Sequence, residues 1–156
     1  MAKLGDAFSE SDRRRSALRR LVPGAGVYLE VVLPGDRKNK FLVVASVDAE
    51  CCTFVVNSRV HPFIEARANL SVCQVKVDAA RHDFLRRDSW IACHEVLTLR
   101  TDAVISDLVA DMSRLKGRIH RDVLDEAAAA VKRAPTLSAA EQTRLAEALT
   151  PEDDQE

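Results

Sequence analysis

The sequence has no apolar run approaching the ~20 residues that a bilayer-spanning helix needs, so no membrane partner is expected. Residues 1–20 are charged and lack the apolar stretch of a secretory signal. The cysteines at 51, 52, 73 and 93 and the four histidines include no C-x-x-C and no H-x-x-x-H pair, the spacings that small zinc domains use. No metal is therefore expected, and the cysteines read as buried thiols of a reducing compartment. On a strand, Cys51 and Cys52 would point to opposite faces, and so would Cys93 and His94. A thiolate–imidazole nucleophile at 93–94 is thereby excluded. Phosphate-cradling glycine loops are absent too, because Pro23-Gly24-Ala25-Gly26 precedes a strand pattern and not a helix. Kinase and dinucleotide readings fall away, and no cofactor is expected. The chain shows no internal repeat and no low-complexity linker.

What remains is 156 residues, 47% hydrophobic and 30% charged, enough for one folded domain with a real core. With no targeting or spanning segment, the default location is cytoplasmic. The net charge of −1 hides an uneven distribution. Residues 1–40 hold nine Lys/Arg against five Asp/Glu, while 151–156 hold four acids and no base. A basic front end permits a polyanionic partner without requiring one.

Hydrophobic periodicity divides the chain. Residues 11–21 predict a short basic helix ended by Pro23-Gly24. Val27, Leu29, Val31 and Leu33 alternate with period two, and Pro34-Gly35-Asp36 stops that strand. Arg37-Lys38-Asn39-Lys40 reads as a basic loop feeding a buried strand from Phe41, with residues 40–57 forming a hairpin. His61-Pro62 breaks the sheet, and residues 63–69 read as a loop or one helical turn. Residues 70–77 predict a fourth strand and 90–96 a fifth. Helical order follows: a stripe from Val104 to Leu115 with Gly117 as its stop, a second from Val123 to Val131 ended by Pro135, and a third opened by the capping box Ser138-x-x-Glu141.

The predicted fold is mainly β with C-terminal α-helices: a small SH3-like barrel of about five strands, with an OB-type barrel as the alternative. Its parts are a basic helical extension (1–22), the barrel (23–100), helices packed on it (101–150) and an acidic tail (151–156).

One constellation could carry chemistry. Arg37, Lys38 and Lys40 share a loop, Asn57 and Ser58 close the next hairpin, and Lys76 and Asp78 share a face at the end of the fourth strand. His82, Asp88 and Ser89 lie just beyond. Brought together, these would set cations beside a carboxylate and an imidazole, a site suited to a phosphodiester. RNA needs no metal there, because its 2′-hydroxyl can attack. The plainer reading is a set of solvated strand ends, where charges collect anyway.

The segments KNKFLVVAS (38–46), FVVNS (54–58) and CQVKVDAARHDFLRRDSWIAC (73–93), with Gly117-Arg118-Ile119 before a helix, resemble the PemK-like branch of the MazF/PemK toxins. The resemblance covers roughly two-thirds of the chain. It implies a homodimeric SH3-like barrel that cleaves single-stranded RNA without metal and is neutralised by an antitoxin protein. It also implies RNA-binding roles for Arg37, Lys38, Lys40 and Asn57 or Ser58, and a base with its phosphate-binding partner at Asp78 and Lys76; the constellation above adds His82 to that catalytic set and Asp88 and Ser89 to the RNA-binding residues. The sequence departs from that pattern in its short first loop, in lysine instead of arginine at 76, and in its basic N-terminal extension. A binding or regulatory module on the same barrel, docking a protein or nucleic acid, is the alternative, and an unrelated barrel is a third.

Overall fold

Ser9 starts the first helix by accepting a hydrogen bond from the backbone N–H of Asp12. The computed structural model describes residues 9–151, so residues 1–8 and the acidic tail from 152 onward, expected to be frayed, lie outside the described residues. Helix α1 (Glu10–Arg20) places acids in its first turn and Arg19 and Arg20 in its last, as the helix dipole favours. It is held by Ala17, Leu21 and a hydrogen bond from Arg13 to the carbonyl of Val109.

Three long strands follow: β1 (Ala25–Leu33), β2 (Asp36–Val47) and β3 (Glu50–Asn57). Leu33 pairs with Asp36, so β1 and β2 are joined by Pro34 and Gly35 alone. Proline fixes the first turn position, and Gly35 takes φ +86°, which a side chain would resist. Arg37, Lys38 and Lys40, expected in a loop, are therefore strand residues. The short turn lets β2 begin at Asp36 and pair along the whole of β1.

Residues 58–73 cross over through two single-turn helices, α2 (Pro62–Glu65) and α3 (Ala68–Ser71), neither with a buried residue. The fourth strand consequently starts late, as β4 (Gln74–Val77), and the fifth is β5 (Ser89–Ala92). Two four-residue strands were not legible in the sequence, β6 (Leu97–Arg100) and β7 (Leu115–Arg118). Helix α4 (Thr101–Ala110) ends earlier than its apolar stripe suggested, and a 3₁₀ turn at Met112–Arg114 leads into β7. Gly117 lies inside that strand and is not a helix stop. Helices α5 (Arg121–Arg133) and α6 (Ala139–Leu149) match their stripes, and the capping box at Ser138 and Glu141 is formed in both directions.

The protein is thus a mixed α/β structure around a seven-stranded, wholly antiparallel sheet of order β4-β5-β3-β2-β1-β7. Strand β6 shares the outer edge of β3 with β5. The sheet is open: no β4–β7 pairing closes it among the described residues. Side chains bring its two ends near each other instead, since His82, after β4, accepts a hydrogen bond from the N–H of His120, after β7.

Both faces of the sheet are covered. Val27, Leu29 and Val31 of β1 and Leu42 and Val44 of β2 pack with α1 and α4. Val43, Phe54 and Val75 pack with α5 and α6 on the other side. The period-two alternation that both cores require sends Cys51 into the first and Cys52 into the second. All four thiols are buried and free. Burial pushes the Cys51 thiol up to about 12 and that of Cys93 higher still, so neither is a ready nucleophile.

Candidate nucleic-acid groove

Tyr28 and Phe41 are cross-strand partners in the β1–β2 register, and their rings lie 4.7 Å apart. They fall on the sheet face that α5 and α6 cover, where Phe41 is partly buried against that core. Phe84, from the loop between β4 and β5, adds a third ring 6.1 Å from Phe41. Phe84 reaches this position because Gly26 and Gly117 leave room for it. A Cβ on Gly117 would come within 3.0 Å of its ring.

These rings line an open cavity of about 600 Å³. Around it stand Lys40 from β2, Arg86 and Arg87 from the β4–β5 loop, and Lys116 from β7, with Asn39, Ser58 and Ser89. No carboxylate lines it among the described residues. Lys116 projects its amine 5.9 Å from the centre of the Tyr28 ring, a cation–π contact. Arg114 braces the near wall by donating to the carbonyl of Tyr28 at 2.9 Å and to Asn39 Oδ1 at 3.3 Å.

Lys40 is the most enclosed cation. Its amine donates to Asn57 Oδ1 at 2.9 Å, and partial burial, with Lys38 nearby, pushes its pKa below the ordinary lysine range. Asn57 thus acts through Lys40, fixing the amine at the cavity margin.

The structure divides the sequence-nominated residues. Lys40, Ser58 and Ser89 line the cavity, with Asn57 behind them. Arg37 and Lys38 lie further out on the β1–β2 hairpin, where Arg37 pairs with Glu30 at 3.7 Å. Lys76 and Asp88 pair with each other at 3.4 Å, and Asp88 also accepts from the N–H of Ala79, which with Lys76 holds its carboxyl below the usual range.

Asp78 and His82 do not line the cavity. Both oxygens of Asp78 accept from Arg81, which bonds Asp122 of α5 with its other side, and this grip lowers the Asp78 pKa to about 2. His82 is 1% exposed. Its Nδ1 lies 2.8 Å from the carbonyl of Asp78, and its Nε2 lies 3.0 Å from the backbone nitrogen of His120. A backbone carbonyl can only accept and a backbone N–H can only donate, so Nδ1 carries the proton and Nε2 is the acceptor. Both nitrogens are committed to joining the sheet ends, and neither is free to exchange a proton with a bound substrate.

Tyr28, Phe41, Phe84, Arg86, Arg87 and Lys116 were not singled out from the sequence. The Arg86-Arg87 doublet was a visible signal. Tyr28 and Phe41 needed the hairpin register, and Lys116 was hidden by the reading of its segment as a helix end. Among the described residues, no cluster of three or more His, Cys, Asp or Glu is arranged to hold a metal, and no helix is long and apolar enough to cross a membrane. No protein-family profile matches the chain, and no curated protein sequence aligns with it at a significant level.

Proposed function

We propose that the chain binds single-stranded RNA in this groove. One observation carries the reading: three aromatic rings and four cations line one cavity, with no carboxylate beside them among the described residues. Flat apolar rings offer stacking surface to any base, worth about 1–3 kcal/mol per base, and the cations take the phosphates between bases. A duplex buries its base faces and cannot use Tyr28, Phe41 and Phe84 in this way. The reading treats the bent sheet as a partly open SH3-like barrel and the protein as cytoplasmic.

A second reading is metal-independent cleavage of the bound RNA, as in the PemK/MazF-type toxins that segments 38–46, 54–58 and 73–93 resemble. In that reading an antitoxin would cover the groove and the active form would be a homodimer. It is favoured by the placement of the half-buried Lys40 amine, its pKa lowered by burial, and the Ser58 and Ser89 hydroxyls along the same cavity. The engagement of Asp78 by Arg81 and of His82 by two backbone groups weighs against the acid–base pair nominated from the sequence, so binding comes first.

The test is fluorescence-anisotropy titration of a short labelled oligouridine and of its duplex, with wild type and with Lys40→Ala/Arg86→Ala/Arg87→Ala. Wild type should prefer the single strand, and the triple variant should lose most of that affinity. Equal binding by the variant, or preference for the duplex, refutes the groove. The same RNA incubated in EDTA and resolved on a gel separates the readings: intact RNA leaves binding alone, whereas cleavage abolished by Lys40→Ala establishes the nuclease.

A further inference from the structure

The groove's cations do not end at its rim. Lys116 and Arg118 flank Gly117 in β7, whose pairing with β1 shifts register between Leu115 and Arg118. Arg118 donates to the carbonyl of Pro23, three residues beyond the C-terminus of α1. The last turn of α1 carries Arg19 and Arg20, both exposed and unmatched by any carboxylate among the described residues. Arg118 thus links the strand that carries Lys116 to the segment leaving α1 just after Arg19 and Arg20.

The rest of α1 is different. Arg15 pairs with Asp12 at 3.4 Å, Arg13 is spent on the Val109 carbonyl, and Arg14 shares a crevice with Asp48 and Asp102. Only the end of α1 nearest β7 is purely basic. Helix α1 also buries little: Ala17 is the one fully buried residue among its eleven. Apolar packing alone does not explain five arginines on so short a helix.

We propose that Arg118, Arg19 and Arg20 form a second, sequence-independent phosphate-binding surface, which carries a long RNA onward from the groove across the end of β7 to α1. This rests on the groove being an RNA site, and it specifies the direction in which the strand leaves. The groove reads bases by stacking, whereas Arg118, Arg19 and Arg20 have no ring beside them among the described residues and contact the sugar–phosphate chain alone. Its contribution is electrostatic and appears as counterion release, about 0.7 in the log–log salt slope for each phosphate neutralised on a single strand.

The experiment compares an oligouridine of about five nucleotides, enough for the groove, with one of about thirty. Both are titrated across a salt series against wild type, Arg19→Gln/Arg20→Gln/Arg118→Gln, and the charge-keeping triple lysine variant. The glutamine variant should bind the short RNA as wild type does. For the long RNA the magnitude of its salt slope should fall by about 2, so that the advantage of wild type over the variant is roughly a hundredfold larger at 0.1 M than at 1 M salt. The lysine variant should keep the wild-type slope. An unchanged slope for the glutamine variant overturns the proposal, as does an equal loss on both RNAs. Failure of wild type to bind the short RNA at all removes the groove reading instead, and the long-RNA slopes still decide the fate of the arginine surface.

Discussion

Replacing His82 by alanine should cost stability and leave RNA recognition by the folded protein unchanged. The side chain is 1% exposed and joins the two ends of an open sheet, from the Asp78 carbonyl at 2.8 Å to the His120 N–H at 3.0 Å. Alanine leaves both backbone groups without a partner, and an unsatisfied buried donor or acceptor costs about 1–3 kcal/mol. The ring also packs edge-on against Phe84 and His120, with centroids 6.0 and 4.7 Å away, and those contacts are lost too. Water reaching the exposed His120 side would offset part of the loss, so a total of about 3–5 kcal/mol is expected. For a chain of this size that lowers the melting temperature by roughly 6–20 °C, at about 2–4 °C per kcal/mol. Urea unfolding followed by circular dichroism measures the change, and oligouridine titration well below the lowered midpoint measures binding. Wild-type stability together with lost RNA binding or cleavage would refute the reasoning and return His82 to the acid–base role nominated from the sequence.

Two further outcomes follow from neighbouring residues. Asp78 has a folded-state pKa of about 2, below its unfolded value of about 3.9. Its stabilising contribution is therefore fully present above pH 4 and lost as pH falls through 2. Thermal melts between pH 5 and pH 2 should show a steeper acid decline for wild type than for Asp78→Asn; parallel curves would show the Arg81 clamp to be inert. Gly117→Ala should destabilise the protein by about 1–3 kcal/mol and weaken RNA binding, because the new Cβ meets the Phe84 ring at 3.0 Å and pushes it from its place in the groove by a few tenths of an ångström. Phe84→Ala in the same background should abolish the steric part of that loss. If Gly117→Ala remains equally destabilising without the ring, the close approach is not its cause.

Local chemistry made much of the architecture legible in advance. Strand β1 announced itself by alternating Val27, Leu29 and Val31, because one face of a strand must enter a core while its neighbours turn away. Helix α6 was readable from Ser138 and Glu141, whose side chains satisfy backbone N–H groups within the same turn. The opposite burial of Cys51 and Cys52 followed from period two alone. None of these depends on a distant partner.

What the sequence did not disclose depends on contacts across long separations. Leu115 closes an apolar stripe that reads as a helix stopped at Gly117, yet Leu115–Arg118 becomes β7 because the edge of β1 offers hydrogen-bond partners at Ala25 and Val27. Gly117 then serves a close approach by a ring 33 positions earlier in the chain, and no local rule announces such a role. His82 and Asp78 carry the residue types of an acid–base pair, and only the tertiary fold committed one to two backbone groups and the other to Arg81. The groove is the same case. Composition and periodicity determined a folded domain of antiparallel strands and late helices with a basic front end. The meeting of Tyr28, Phe41, Phe84 and four cations was decided by the hairpin register, a bent sheet and a loop that crosses its open side, since side-chain identity fixes a residue's chemistry but not its neighbours.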